Sequence, residues 1–259
     1  MKVDLHNHTP LCKHAVDEPR EYVLEAIKSG CSYFGFSDHA PMNFDEAYRM
    51  NFGEMEIYER EILNLQDEFK DKIEILLGYE VDFLEGFMDE RVLSRKVDYL
   101  IGSVHFINGW GFDNPEFIGE YKNKDIDKIW EDYFYCISAL ARSGKFDIVG
   151  HLDLIKVFKF LPKKDIRTIA KDALNAIKKA NLVVEINAAG FRKPIAEQYP
   201  SNLLLEELVN LDIAITFGSD AHAKDQVGLN GQKCEDIANK FGFSKCACFK
   251  NRDKFTVEF

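Results

Sequence analysis

Parallel β/α architecture is the fold class this sequence predicts, and three observations predict it. Seven short apolar, β-prone runs are spread along the 259 residues, and the gaps between them carry helical periodicity. Several of the runs are apolar at successive positions instead of alternating, as expected of strands covered on both faces. Strand and helix alternate over the whole length, which argues for a parallel sheet with helices packed against it. Seven such units favour a closed or distorted barrel over an open sheet, although the pattern does not decide closure. No Gly/Ser linker, low-complexity tract or short repeat divides the chain, so a single domain over residues 1–259 is expected.

The elements follow in order. Residues 2–6 (KVDLH) form the first run, and Gly30 reads as the glycine that ends a helix before the second run, 32–37 (SYFGFS). Met55, Tyr58, Ile62, Leu65 and Phe69 recur at spacings of 3, 4, 3 and 4, one apolar stripe of an amphipathic helix. The third run is 74–82 (EILLGYEVD) and the fourth 98–106 (DYLIGSVHF). Asp125-Ile126-Asp127 opens a helix that Gly144 closes, and 146–151 (FDIVGH) is the fifth run. Ile166, Ile169, Ala173, Leu174 and Ile177 make a second stripe, ending in Lys178-Lys179, cations suited to a helix C-terminus. The sixth run is 182–187 (LVVEIN), Ser201 is an N-cap before LLLEELVNL, and 213–218 (IAITFG) is the seventh run.

Bulk composition excludes several function classes. With 33 Lys+Arg against 44 Asp+Glu the net charge is −11, a poor surface for a polyanion, because nucleic-acid affinity draws on cations neutralising phosphates. A small phosphorylated substrate remains compatible with it. No run approaches the ~18 apolar residues of a membrane span, and the polar N-terminus lacks a secretory apolar segment, so a cytoplasmic location is expected. The six cysteines include no Cys-x-x-Cys pair, which fits reduced thiols; Cys12, close to His14, reads as a small packing residue.

The seven histidines carry the chemical signal. His6 and His8 end the first run, His39 the second, His105 lies near the end of the fourth, His151 ends the fifth and His222 follows the seventh; only His14 falls in a loop. Chemistry in β/α barrels sits at the C-terminal ends of the strands, and Glu80 and Asp220 lie in that same layer. A lone histidine after a strand is most often a hydrogen-bonded structural residue. Residues two apart on a strand share a face, so His6 and His8 can reach one ion, and six histidines gathered at strand exits have no packing explanation. Mixed imidazole and carboxylate donors suit Zn, Fe or Mn.

The combination of His-x-His near the N-terminus, Ser37-Asp38-His39, a lone Glu80, Ser103-Val104-His105, Gly150-His151-Leu152-Asp153 and Ser219-Asp220-Ala221-His222 resembles the PHP (polymerase and histidinol phosphatase) superfamily, and does so from His6 to His222. The stretches SVHF…GWGFD, GHLDLIK and INAAGFRKP are most similar to its stand-alone histidinol-phosphate phosphatases. The resemblance implies a distorted seven-stranded, TIM-like (β/α)7 barrel holding three divalent ions. His6, His8, Glu80 and Asp220 would bind one; Glu80 as a bridge with His105 and His151 a second; His14, His39 and His222 the third. It implies in-line attack by metal-bound hydroxide on L-histidinol phosphate, releasing L-histidinol and inorganic phosphate in histidine biosynthesis.

Catalytic roles are expected for Glu80 and Asp220, and for Asp153 and Asp38 as groups that orient a ligand histidine or move a proton. Arg192 is expected to fork onto phosphate and Lys156 to add a point charge, while Phe106 and Trp110 would wall the substrate's ring. The rival readings are another phosphoesterase of the superfamily, acting on a small nucleotide, an oligonucleotide end or phosphotyrosine, and a non-catalytic structural module. The last would be expected to have lost ligands, and none is missing. Cys-x5-Arg, P-loop and Gly-x-Ser-x-Gly motifs are absent. Oligomeric state stays open.

Overall fold

The computed structural model describes residues 1–259. Eleven strands occur in chain order: β1 (Val3–Asp4), β2 (Tyr33–Phe36), β3 (Glu74–Asp82), β4 (Tyr99–Ser103), β5 (Phe106–Ile107), β6 (Trp110–Gly111), β7 (Ile148–Val149), β8 (Val183–Asn187), β9 (Ile215–Gly218), β10 (Lys245–Lys250) and β11 (Asp253–Glu258). The helices are α1 (Pro19–Lys28), α2 (Met55–Phe69), the single turn α3 (Glu90–Leu93), α4 (Ile126–Arg142), α5 (Ile166–Ala180), α6 (Asn202–Asn210) and α7 (Gly231–Lys240). Seven strands form one parallel sheet in the order β1-β2-β3-β4-β7-β8-β9. It closes on itself past the ends of β1 and β9: Leu5 N–H donates to Phe217 O at 2.9 Å, Asp220 N–H to His6 O at 2.7 Å and His8 N–H to Ala221 O at 3.0 Å. The crossover from β3 to β4 contains only the one-turn α3, so the helical layer is uneven and the barrel distorted.

Both apolar stripes face inward. Met55, Tyr58, Ile62, Leu65 and Phe69 of α2 are all buried, as are Ile166, Ala173, Leu174 and Ile177 of α5. Gly30 and Gly144 take the left-handed conformation just beyond α1 and α4, at φ +77° and +67°, where a side chain would be strained. Ser201 occupies the N-cap of α6 by backbone conformation alone; its hydroxyl makes no capping bond. Inside the barrel, Tyr99 crosses from β4 to donate to Leu5 O at 2.6 Å, and only a glycine at 35 admits it, since a Cβ there would lie 2.1 Å from the phenol oxygen.

The expected runs overshoot several observed strands, most in proportion to length for the first (2–6) and fifth (146–151), whose sheet-paired parts are only Val3–Asp4 and Ile148–Val149. The fourth run leaves the sheet at Ser103, where pairing with β3 ends at Asp82, one residue after pairing with β7 has ended at Gly102; Phe106 instead opens the antiparallel β5–β6 hairpin. The C-terminal hairpin β10–β11 was not anticipated. It turns through Asn251 and Arg252, both at positive φ, a conformation that Asn-Gly would have advertised and Asn-Arg does not. Asp98 accepts from Asn251 N–H at 3.1 Å and Asp147 pairs with Arg252. Both acids precede strands, so the hairpin covers the barrel end opposite the histidines. No helix is long and apolar enough to cross a membrane.

Candidate metal centre and active site

All seven histidines converge at the C-terminal end of the barrel. Neighbouring ring centroids lie 5.1 Å apart for His6 and His8, 4.0 Å for His8 and His222, 4.6 Å for His14 and His222, 5.3 Å for His14 and His39 and 4.9 Å for His105 and His151. Donor atoms group within 4.8 Å as His6, His8 and Glu80; Glu80, His105 and His151; and His14, His39 and His222, and a fourth group joins His8 and His222 to the Cys12 thiol. Glu80 stands between the first two, with His6 Nε2 3.3 Å from one carboxylate oxygen and His151 Nε2 2.9 Å from the other. Asp220 lies 3.2 Å from His8 Nε2. Its backbone is left-handed, φ +52°, a conformation that an Asp tolerates better than most residues.

The donors fit a cation for a reason visible in the protein alone. His6 Nε2, His8 Nε2 and His39 Nδ1 are buried and face carboxylate oxygens at 3.1–3.3 Å without a well-directed hydrogen bond, an arrangement of donors converging on one point that a cation between them would satisfy. Burial opposes protonation of His6, yet Glu185, Glu80 and Asp220 outweigh it and hold its proton affinity well above the usual range. The same contest, won by Asp220 and Asp38, raises His8 to about 9, and Asp82 and Glu80 raise His105 to about 10. For His39 and His222 burial wins and the rings are held neutral. Burial would push Glu80 and Asp220 up, but the surrounding imidazoles keep both ionised far below the usual carboxylate range.

A second layer of carboxylates sits behind the rings. Glu185 on β8 accepts His6 Nδ1 at 2.7 Å through one oxygen, and His151 N–H at 2.8 Å and Asn187 Nδ2 at 3.0 Å through the other. Asp82 on β3 pairs with His105 Nδ1 and with buried Arg49. Asp38 lies 3.3 Å from His8 Nδ1 and accepts His39 N–H at 2.9 Å, so it orients one ring while capping its own turn. Asp4 accepts Ser219 N–H at 2.8 Å, pinning the turn that carries Asp220. Sequence reasoning missed Glu185, Asp82 and Asp4. The available signal was a charged residue inside an otherwise apolar strand run, which is rarely fully buried without a partner.

The remaining expected residues separate. Arg192 Nη2 donates to Ser219 O at 2.8 Å and Asp220 O at 2.9 Å, leaving Nη1 buried and unpartnered. Phe106 and Trp110 lie on the β5–β6 hairpin that follows His105; Phe106 packs edge-on against Phe44 at 5.0 Å, and Lys124 covers the Trp110 ring at 3.8 Å. Lys156 lies beneath the mouth. It is 1% exposed, and its ammonium meets Asp153 Oδ2 at 3.1 Å, Glu197 Oε2 at 3.1 Å and Gln198 O at 2.8 Å, so all three of its donors have protein partners. Asp153 Oδ2 holds Lys156 and accepts the Ser201 N–H at 2.8 Å. Cys12 is buried beside His8 and His222, and burial and Asp38 keep its thiol protonated.

A family model described as PHP domain matches residues 4–189. The chain belongs to the PHP domain family. This PHP chain is 41% identical over 231 residues to a probable histidinol-phosphatase of Deinococcus radiodurans, covering 87% of this chain and 88% of that one. It is 31% identical to a histidinol-phosphatase of Bacillus subtilis, over 88% and 96% of the two chains. Among solved structures, the histidinol phosphate phosphatase of Lactococcus lactis, complexed with Zn, L-histidinol and phosphate, superposes with a TM-score of 0.80 at 27% identity, covering 98% of each chain. The PHP barrel described above is thus a metal-dependent phosphatase scaffold.

Proposed function

We infer that this chain is a histidinol-phosphatase, a phosphoric monoester hydrolase converting L-histidinol phosphate and water to L-histidinol and inorganic phosphate. The observation that carries the reading is the convergence of seven histidines and two carboxylates on one barrel mouth as three donor sets, two of them sharing Glu80. The substrate is the one for which its relatives are named.

We assign His6, His8, Glu80 and Asp220 to one divalent ion, Glu80, His105 and His151 to a second, and His14, His39 and His222 to a third, all of the Zn, Mn or Fe class. Bound ions supply Lewis acidity toward phosphate oxygens and acidify water. The protein's part is positional. Asp38, Asp82 and Glu185 fix the tautomer and aim of His8, His105 and His6. Arg192, braced on the Ser219-Asp220 carbonyls, points one free nitrogen at an anion. Phe106 and Trp110 give the substrate ring an apolar wall beside His105.

The test compares phosphate release from histidinol phosphate, p-nitrophenyl phosphate, a nucleoside monophosphate and a phosphotyrosine peptide, with Mn or Zn present. A clearly higher kcat/KM for histidinol phosphate is expected; parity with the generic esters would overturn the substrate assignment.

A further inference from the structure

The three donor sets are built to different standards. His6, His8, Glu80 and His151 are at most 2% exposed, and His6, His8 and His105 each have a buried carboxylate behind the remote nitrogen. The set of His14, His39 and His222 lacks this backing. His14 is exposed and its Nδ1 faces a neutral carbonyl, Cys12 O, at 2.8 Å; His222 Nδ1 faces Asp220 O at 3.2 Å. Carboxylate oxygens come near His39, at 3.1 Å, and near His222 Nδ1, at 3.5 Å, but they belong to Glu80 and Asp220, both already ligands in the two other sites.

Charge follows the same division. Two ions between them take Glu80 and Asp220, whereas an ion on the His14 set would sit on three neutral rings and keep its full charge. The guanidinium of Arg192 donates to Asp220 O, the same carbonyl that faces His222 Nδ1. A second positive group is therefore anchored one acceptor away from this set, with its Nη1 unpartnered. Arg192 makes no direct ion pair, and the carboxylates near the third site, Glu80 and Asp220, are already assigned to the other two ions.

We propose that the His14, His39 and His222 site is exchangeable and binds its ion cooperatively with the phosphoryl dianion, while the pair sharing Glu80 is held permanently. The proposal rests on the three-ion reading above. A dianion that bridges the third ion and Arg192 supplies the missing charge, and coupling between two binding equilibria is reciprocal: phosphate must tighten the third ion by the same factor that the third ion tightens phosphate. Saturation with substrate would then load the last ion, and product release would loosen it.

The experiment titrates Mn-loaded protein with a chelator, with and without inorganic phosphate, and counts retained ions by elemental analysis. Two ions should persist where the third is removed, and phosphate should raise the third ion's apparent affinity by about 5- to 150-fold, the ordinary range for coupled sites. His14→Ala should keep two ions and lose the phosphate effect; His222→Asn serves the same purpose if the first variant folds poorly. Loss of three ions in one phase, or a graded loss indifferent to phosphate, would overturn the proposal while leaving the phosphatase reading intact. Failure to take up metal at all would overturn both.

Discussion

Replacing Glu185 by Gln is a near-isosteric change whose cost follows from the donors around it. One carboxylate oxygen accepts His6 Nδ1 at 2.7 Å; the other accepts the His151 N–H at 2.8 Å and Asn187 Nδ2 at 3.0 Å. All three neighbours are donors, and an amide has one acceptor oxygen and one NH2 group. Whichever way the Gln side chain is turned, its NH2 confronts a donor: His6 in one orientation, His151 N–H and Asn187 in the other. The variant also loses the charge that strengthens the His6 bond, since charge-assisted bonds are roughly twice as strong as neutral ones. Removing a carboxylate behind a metal-bound histidine typically costs about 10- to 100-fold in metal affinity or activity, or about 1.4–2.7 kcal/mol at 1.36 kcal/mol per factor of ten. The upper part of that range is expected here, because His6 and His151 belong to different donor sets and both are disturbed. Metal competition against a chromophoric chelator measures the affinity, and kcat/KM on histidinol phosphate the activity. Metal affinity within twofold of wild type would refute the argument that Glu185 aims the rings.

Three further outcomes test other parts of the structure. Metal uptake near neutral pH should release protons from His6, His8 and His105. The sign follows from proton affinities raised above the usual 6.5, to about 9 for His8 and about 10 for His105: these rings bind protons more tightly in the metal-free fold than in the unfolded chain, so they stabilise that fold below pH 6.5 and cease to as pH rises through 9–10. Metal affinity should climb over the same interval, and the calorimetric enthalpy of metal binding should depend on the buffer's ionisation enthalpy; a buffer-independent enthalpy would count against it. Lys156→Met leaves Asp153 buried with its cation removed, a loss of roughly 3–5 kcal/mol, or a fall in Tm of about 6–20 °C at the ~2–4 °C per kcal/mol of a chain this size. KM below the transition should stay near wild type, whereas a selective rise in KM would restore Lys156 as a phosphate contact. Gly218→Ala places a Cβ 2.0 Å from Glu185 Oε1 and 2.6 Å from His6 Cβ; its loss of metal affinity should be non-additive with that of Glu185→Gln, and additive losses would mean that the two act separately.

Much of this site was legible because its ligands are of a rare residue type placed at a rule-bound location. His6, His8, His39, His105, His151 and His222 each lie at or just beyond a strand exit, and β/α barrels bring strand exits together. His14 has no such address. It stands in a loop, and its place beside His39 and His222 depends on the turn Pro10–Cys12, which Lys13 leaves at φ +70°; only the family resemblance assigned it. The strands were located well where both faces are apolar, as in β3, found over its full span Glu74–Asp82. They were overrun where pairing stops, as after Ser103, because a sheet partner's length is not encoded in the strand itself. The β10–β11 hairpin escaped because KCACFK offers no turn signal stronger than Asn251-Arg252.

Lys156 and Glu185 show why charged residues near the mouth were harder to read than histidines. From sequence, a cation near a strand exit invites a phosphate contact, and a glutamate within LVVEIN looks like an interruption of a buried strand. In the structure the two are placed differently. Lys156 is consumed by Asp153 and Glu197, and holds two loops together underneath the site. Glu185 crosses the barrel interior to His6, through a space that exists only because residue 218 is glycine. Whether a buried charge serves a ligand or a neighbour depends on which counter-charge reaches it first, and that is a property of strand order. Glu185 on β8 meets His6 from the far end of the sequence because β1 and β9 close the sheet. Barrel closure, the one point the apolar pattern left undecided, is therefore also what completes the metal centre's outer layer: an open sheet would keep Glu80 beside His39 and deprive His6 of its carboxylate.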